Sequence, residues 1–136
     1  MYPNGNYPLT VQQIEESLKT RWKPTVVMHN DIVVGYSNFY GYEEGELCWL
    51  GNFVVSSLFR GKGAAEFLIK SMMRIAKDEL KVPLLQLGCH STNIRGLLFY
   101  SKLKFKPIDL FKVVGYQGQI AVAIEMRVDL TNEDNY

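Results

Sequence analysis

The residues with the clearest chemical potential are Arg60-Gly61-Lys62-Gly63-Ala64-Ala65. They lie between an apolar run, Phe53-Val54-Val55, and a long stretch of helical periodicity. The first turn of a helix leaves backbone N–H groups without internal partners and carries the positive end of the dipole. Gly61 and Gly63 let a backbone approach a ligand closely, and Arg60 and Lys62 add positive charge. This strand–turn–helix therefore reads as a cradle for a phosphate or diphosphate. Two other phosphate motifs fail on residue identity. A Walker A loop needs a hydroxyl after its lysine, and Gly63 follows Lys62. The dinucleotide fingerprint needs a third glycine where Glu66 stands, and an acidic residue about 20 positions on, where Lys81 and Val82 stand.

The spacing Arg-x-x-Gly-x-Ala resembles the acetyl-CoA loop of the GNAT superfamily of N-acetyltransferases, Gln/Arg-x-x-Gly-x-Gly/Ala. A second segment strengthens the likeness. Asn93-Ile94-Arg95-Gly96-Leu97-Leu98-Phe99-Tyr100-Ser101-Lys102-Leu103-Lys104-Phe105 resembles that family's Asn…small…Phe-Tyr-x-Lys-x-Gly-Phe, with Lys104 where glycine is common. The resemblance runs from about Thr25 to Leu130. It implies acetyl-CoA as cosubstrate without a metal, and acetyl transfer directly to a primary amine of a small molecule or peptide. Backbone groups of Phe53, Val54 and Val55 would pair with the pantetheine arm as an added strand does. The amides of Gly61, Lys62, Gly63, Ala64 and Ala65 would hold the diphosphate, with Arg60 bracing the turn. A backbone N–H near Val55 would stabilise the oxyanion.

Asn93 and Tyr100 lie two helical turns apart on one face, with Gly96 nearby as a small residue that leaves room. Asn93 is placed to cap its helix and to hydrogen-bond the cofactor arm. Tyr100 stands where the family has its general acid, and a phenol is protonated at neutral pH. It could equally be a core ring. An alkyl amine is protonated at neutral pH and needs a base. Glu46 and His90 are the two candidates, each with an ordinary alternative as a turn or loop residue. Cys89 adjoins His90, but neighbouring strand residues point to opposite faces, so no acyl-enzyme is expected. Asp31, Glu43, Glu44 and Glu46 could attract a cationic acceptor or simply be solvated. Tyr36, Tyr40, Tyr42 and Trp49 could line an acceptor groove, pack on the sheet or face a homodimer. A CoA-binding regulatory module without catalysis is the alternative function.

The elements that must position these groups follow from pattern. Residues 1–9 read as coil and 10–22 as an amphipathic helix ended by Pro24. Strands are expected at Thr25–His29, Ile32–Tyr40 and Glu46–Val55, with turns at Asn30-Asp31 and Gly41–Gly45. A helix over about 62–80 follows, its buried stripe at Ala65, Leu68, Ile69, Met72, Ile75 and Ala76. Then come a strand at Leu84–Cys89 parallel to the third, a helix at Asn93–Leu103, and a closing pair at Pro107–Val114 and Gln119–Asp129. Residues 131–136 read as a loose tail. This is an α+β class: one domain with a mixed, mostly antiparallel sheet flanked by helices, shorter at its N-terminus than the family pattern. A length of 136 residues suits one domain, and a net charge of +1 gives no case for nucleic acid or an anionic membrane. No run approaches a membrane span, no signal peptide is evident, and two cysteines are too few for a disulfide framework. A cytoplasmic protein with two reduced, buried thiols is expected.

Overall fold

The computed structural model describes residues 22–59, 61 and 63–131. The expected helix at 10–22 therefore falls outside the described residues, except at its end. Trp22 does not end a helix: it opens strand β1 (Trp22–His29). Pro24 removes a donor and forces Lys23 out of the helical region, and Lys23 takes a φ of 49°. The Trp22 ring then packs edge-on to Tyr42, with ring centres 6.1 Å apart.

Asn30 and Asp31 both adopt left-handed φ values of 49° and 67°, which makes a two-residue hairpin turn into β2 (Ile32–Glu43). The turn expected at Gly41–Gly45 is shorter, because β2 runs on through Gly41 to Glu43. A Cβ on Gly41 would sit 2.4 Å from the Trp49 ring, so the glycine lets Trp49 lie flat across the strand. The chain reverses at residues 44–46, with Gly45 at φ 76°, and enters β3 (Leu47–Val55).

A short 3-10 turn at Ser57–Phe59 leads to helix α1 (Ala64–Asp78). Strand β4 (Leu84–His90), helix α2 (Ile94–Lys102) and the hairpin of β5 (Lys106–Val114) and β6 (Ile120–Asp129) complete the order. The six strands lie in the order β1-β2-β3-β4-β6-β5. Only β3 and β4 are parallel, as a crossover helix between them requires.

One face of the sheet carries the main core. Phe39, Cys48, Leu50, Leu85, Leu87, Met126 and Val128 meet Leu68, Ile69, Met72, Met73 and Ala76 of α1. Met73 joins the expected stripe, whereas Ala65 and Ile75 are only partly buried. Each fully buried aliphatic side chain contributes about 1.5–3 kcal/mol by burial, so this face fixes where the N-terminus of α1 points. The expected pair Glu66–Lys70 forms at 3.1 Å on the solvent side. The other face carries Tyr36, Asn38, Trp49, Gln86, Glu125 and Arg127, by strand alternation from the core residues. No helix among the described residues is long and apolar enough to cross a membrane.

Candidate active site

The parallel ladder between β3 and β4 has three rungs: Leu47–Leu84, Cys48–Leu85 and Trp49–Gln86. Beyond Trp49 and Gln86 the strands diverge. A bulge helps to turn β3 away, since Asn52 takes φ 51° and the β2–β3 register shifts between Tyr36 and Asn38. The divergence opens a cleft of about 870 Å³. Ser56 N–H donates to Val34 O at 2.8 Å, so alternation turns the backbone groups of Val54 toward β2 and those of Phe53 and Val55 toward the opening. Likewise Ser91 N–H donates to Val122 O at 2.8 Å, which directs the backbone of Gly88 toward the opening from the other side.

At the far end of the cleft stand Gly61 and Gly63, with φ values of 77° and 86°. A Cβ at either would meet nothing within 4 Å, so it is the left-handed backbone that demands glycine there. Gly63 caps α1 without a side-chain hydrogen bond to the first turn, and its carbonyl accepts from Phe67 N–H at 2.9 Å. The N-cap residue itself therefore places no side chain over the amides that open α1. Arg60 and Lys62 lie outside the described residues.

The structure brings together Phe53, Val55, Gly61, Gly63, Ala65, Asn93 and Tyr100 around this cleft. Val54 faces the opposite side of the sheet, and Ala64, the first residue of α1, is not among the lining residues. Asn93 is the N-cap of α2, its Oδ1 accepting from Gly96 N–H at 3.0 Å. A Cβ on Gly96 would lie 2.6 Å from Asn93 Nδ2, so the glycine makes room first of all for that cap. The Tyr100 ring sits among Phe53, Phe99 and Phe105 at 6.3, 5.4 and 5.7 Å, each edge-on or nearly so.

Glu46 is elsewhere. It lies in the turn before β3, beside the closed rungs and a full strand length from Val55. There it hydrogen-bonds Glu43, whose carboxyl is held above its ordinary value by that bond first, then by desolvation and by the Glu46 charge. His90 is the last residue of β4 rather than the first of a loop, and it pairs with Ala123 on the face opposite Cys89.

Sequence reasoning missed Glu66, Gly88, Cys89 and Arg95 as lining residues. Gly88 had a signal, since glycine inside an apolar strand marks a close approach. The Cys89 thiol is buried beside the cleft, and desolvation pushes it above its ordinary pKa, so at neutral pH it is a neutral thiol. Among the described residues no group of three or more His, Cys, Asp or Glu could hold a metal ion.

No curated protein matches the sequence. Among solved structures, the fold superposes on a GNAT family acetyltransferase from Elizabethkingia anophelis with acetyl-CoA bound, with TM-score 0.71 and 17% identity over 88% of this chain and 83% of that one. It superposes on Ard1 from Thermoplasma volcanium with TM-score 0.77 and 19% identity over 89% and 80% of the two chains. For a ribosomal-protein-alanine N-acetyltransferase from Brucella melitensis the values are 0.70 and 23% over 87% and 75%. These likenesses show the fold. The sequence itself matches the model of the acetyltransferase (GNAT) family over residues 3–105, most of its length. With the forked sheet, the left-handed glycines and that match in agreement, the chain belongs to the GNAT family of acetyltransferases and is an acyltransferase.

Proposed function

We propose that the cleft between β3 and β4 takes acetyl-CoA and that the protein transfers the acetyl group directly to a primary amine of a small molecule or peptide. The observation that carries this reading is the fork. A parallel ladder that stops after Trp49–Gln86 leaves strand backbone facing a cleft whose other end is a helix N-terminus with glycine as its N-cap. An amide-bearing arm ending in a diphosphate matches both ends: amides pair with strand backbone, and phosphates sit at the helix. Bound there, acetyl-CoA supplies an activated carbonyl on a thiol leaving group.

The chain's own residues do the rest. Gly61, Gly63 and Ala65 orient backbone toward the diphosphate. Asn93 offers its amide to the arm. Tyr100, held edge-on by three aromatic rings, is the phenol that gives a proton to the departing thiolate. The cleft walls from Phe53, Val55 and Phe99 are apolar and exclude water from that transfer.

The test is Tyr100→Phe with an amine panel, read by release of free CoA thiol, alongside calorimetry with acetyl-CoA. The ring contacts survive the substitution. The expected result is kcat lower by about 10²–10⁴-fold with acetyl-CoA affinity within a few-fold of wild type. An unchanged rate would remove Tyr100 from the mechanism, and absence of any heat with acetyl-CoA would remove the cleft's assignment.

A further inference from the structure

Of the two bases expected from sequence, Glu46 is at the closed end of β3, and His90 lies two residues beyond Gly88 at the open end of β4. A different carboxylate, on β6, lies beside the point where β4 leaves β3. Gly88 is the second residue of β4 beyond the last β3–β4 rung, and it pairs with Glu125 of β6. Because the backbone of Gly88 points away from β6, this is a non-hydrogen-bonded pair, the closer of the two antiparallel kinds. Glu125 therefore stands beside a residue that has no side chain of its own. Among the described residues a Cβ on Gly88 would meet only the Phe111 ring, at 3.1 Å, so Phe111 is the described wall of the hollow over Gly88.

Glu125 leans across β4 toward the last closed rung. Its Oε1 accepts from Gln86 Nε2 at 3.0 Å, and Gln86 is the β4 member of the last rung. Gln86 is buried, and its amide is oriented by Arg127 Nε, which donates to Gln86 Oε1 at 2.7 Å. The chain Arg127–Gln86–Glu125 thus fixes one carboxylate on the back of the sheet where the strands part. The charged and titratable neighbours on that face are Arg127 of β6, His90 of β4 and Asp109 of β5, whose Oδ1 accepts from Leu110 N–H at 2.8 Å. Across the fork the same face holds Asn38, fully buried, whose Oδ1 has no hydrogen-bond partner among the described residues while its Nδ2 donates to Tyr36 Oη at 2.9 Å. A buried acceptor without a partner calls for a donor, and an ammonium group is one.

We propose that Glu125 is the base of this enzyme, receiving the proton of the acceptor amine through the hollow over Gly88. The assignment rests on the proposed acetyl transfer and adds the acceptor side to it. The acceptor arrives as R–NH3+ and approaches from the face opposite α1. Glu125 takes one proton, leaving R–NH2. Nitrogen forms its bond to the thioester carbon and the C–S bond breaks. The nitrogen sheds a second proton as the amide forms. One proton is returned to the thiol sulfur by way of Tyr100 and the other passes from Glu125 to water, so the products are amide, free thiol and one proton.

The test uses two probe nucleophiles with acetyl-CoA: methylamine, protonated at neutral pH, and hydroxylamine, which is already neutral there and needs no proton removed before it attacks. With Glu125→Gln the methylamine-dependent release of thiol falls by about 10²–10⁴-fold, and its dependence on pH follows only the fraction of free amine. The hydroxylamine rate and acetyl-CoA affinity stay near wild type, which also shows that the variant is folded. If E125Q does not fold, Glu125→Asp keeps the carboxylate and retracts it by one methylene, and the two rates must again separate. Equal losses with both nucleophiles, or none, overturn the proposal. So does a selective loss in His90→Gln rather than E125Q, or thiol release that never exceeds the uncatalysed rate. Failure of wild type to bind acetyl-CoA is a different result, because it removes the proposed function itself.

Discussion

Asn93 performs one role that is visible and one that is proposed, and two substitutions separate them. Its Oδ1 accepts from Gly96 N–H at 3.0 Å and so caps α2, while Nδ2 is the end of the amide able to donate to a ligand arm in the cleft. Asn93→Ala removes both. Loss of an N-cap costs about 1 kcal/mol. For 136 residues, at ~2.1 cal/mol/K each, the unfolding entropy is about 0.29 kcal/mol/K, so Tm falls by about 3–4 °C. Loss of a ligand hydrogen bond of about 0.5–1.5 kcal/mol raises the acetyl-CoA Kd by about 2–13-fold. Asn93→Asp keeps an oxygen for Gly96 and adds a negative charge at a helix N-terminus, which is favourable by about 0.3–1 kcal/mol. Its Tm should match or exceed wild type. It has no N–H donor, and its charge opposes a diphosphate, so its Kd should rise at least as far as that of N93A. Thermal melts and calorimetry on the three proteins decide the matter. If N93D melts as early as N93A, the cap is not what Asn93 contributes. If both bind acetyl-CoA like wild type, the side chain has no ligand role and only the cap remains.

Two further outcomes follow from the cleft. Gly63→Ala forces a Cβ into a left-handed backbone at φ 86° where space is open, so its cost is that of backbone strain, about 1–2 kcal/mol, or roughly 3–7 °C in Tm. It should weaken acetyl-CoA while leaving turnover of acetylpantetheine, which lacks the diphosphate, near wild type; equal losses with both compounds would contradict the placement of the phosphates. Desolvation raises the Cys89 pKa, so its thiolate fraction is below that of a free cysteine at any given pH. Alkylation by iodoacetamide should be slow at pH 7, accelerate only above the ordinary value of 9.0, and be slowed further by acetyl-CoA. Rapid alkylation at pH 7 that acetyl-CoA leaves untouched would argue against both the burial and the shared cleft.

Much of this architecture is legible in the chain because local signals agree with long-range ones. Alternation marks β2, a short apolar run marks β4, the 3.6-residue stripe marks α1, and the length of α1 requires a parallel pair of strands around it. What stayed hidden depends on contacts distant in sequence. Gly41 looks like a turn residue until Trp49 is known to lie across it. Trp22 has helical spacing from Leu18, but Lys23-Pro24 releases it into β1, where Tyr42 receives its ring. At the site, the glycines and Asn93 can be read from spacing because a turn and a cap are local devices. A base is not local. Glu125 lies 37 positions beyond Gly88 (125 − 88) and meets it only through the antiparallel pairing of β4 with β6. The sequence signal for Glu46 was an acid near the right strand, and the structure shows it at the wrong end.

The placement of Cys89 and His90 also argues for direct transfer rather than a covalent relay. A thiol nucleophile needs a base within hydrogen-bond reach. Cys89 faces the cleft and the helices, whereas His90, one residue on, faces the other side of the sheet with Gly88 and Glu125. Burial holds the thiol protonated, and its Sγ donates to the Asn93 carbonyl at 3.9 Å. An acyl group passed to sulfur would therefore have to be accepted by a neutral thiol without a partner to deprotonate it. The fork removes the need for that intermediate stop. There the β3–β4 ladder ends, so on the proposed reading a donor lying along α1 and α2 and an amine arriving over Gly88 reach the same point from opposite sides. Filling the hollow should then block only the acceptor. A bulky residue such as valine at position 88 should leave acetyl-CoA binding intact and abolish transfer to amines, and transfer that persists would mean the amine enters from the helix side.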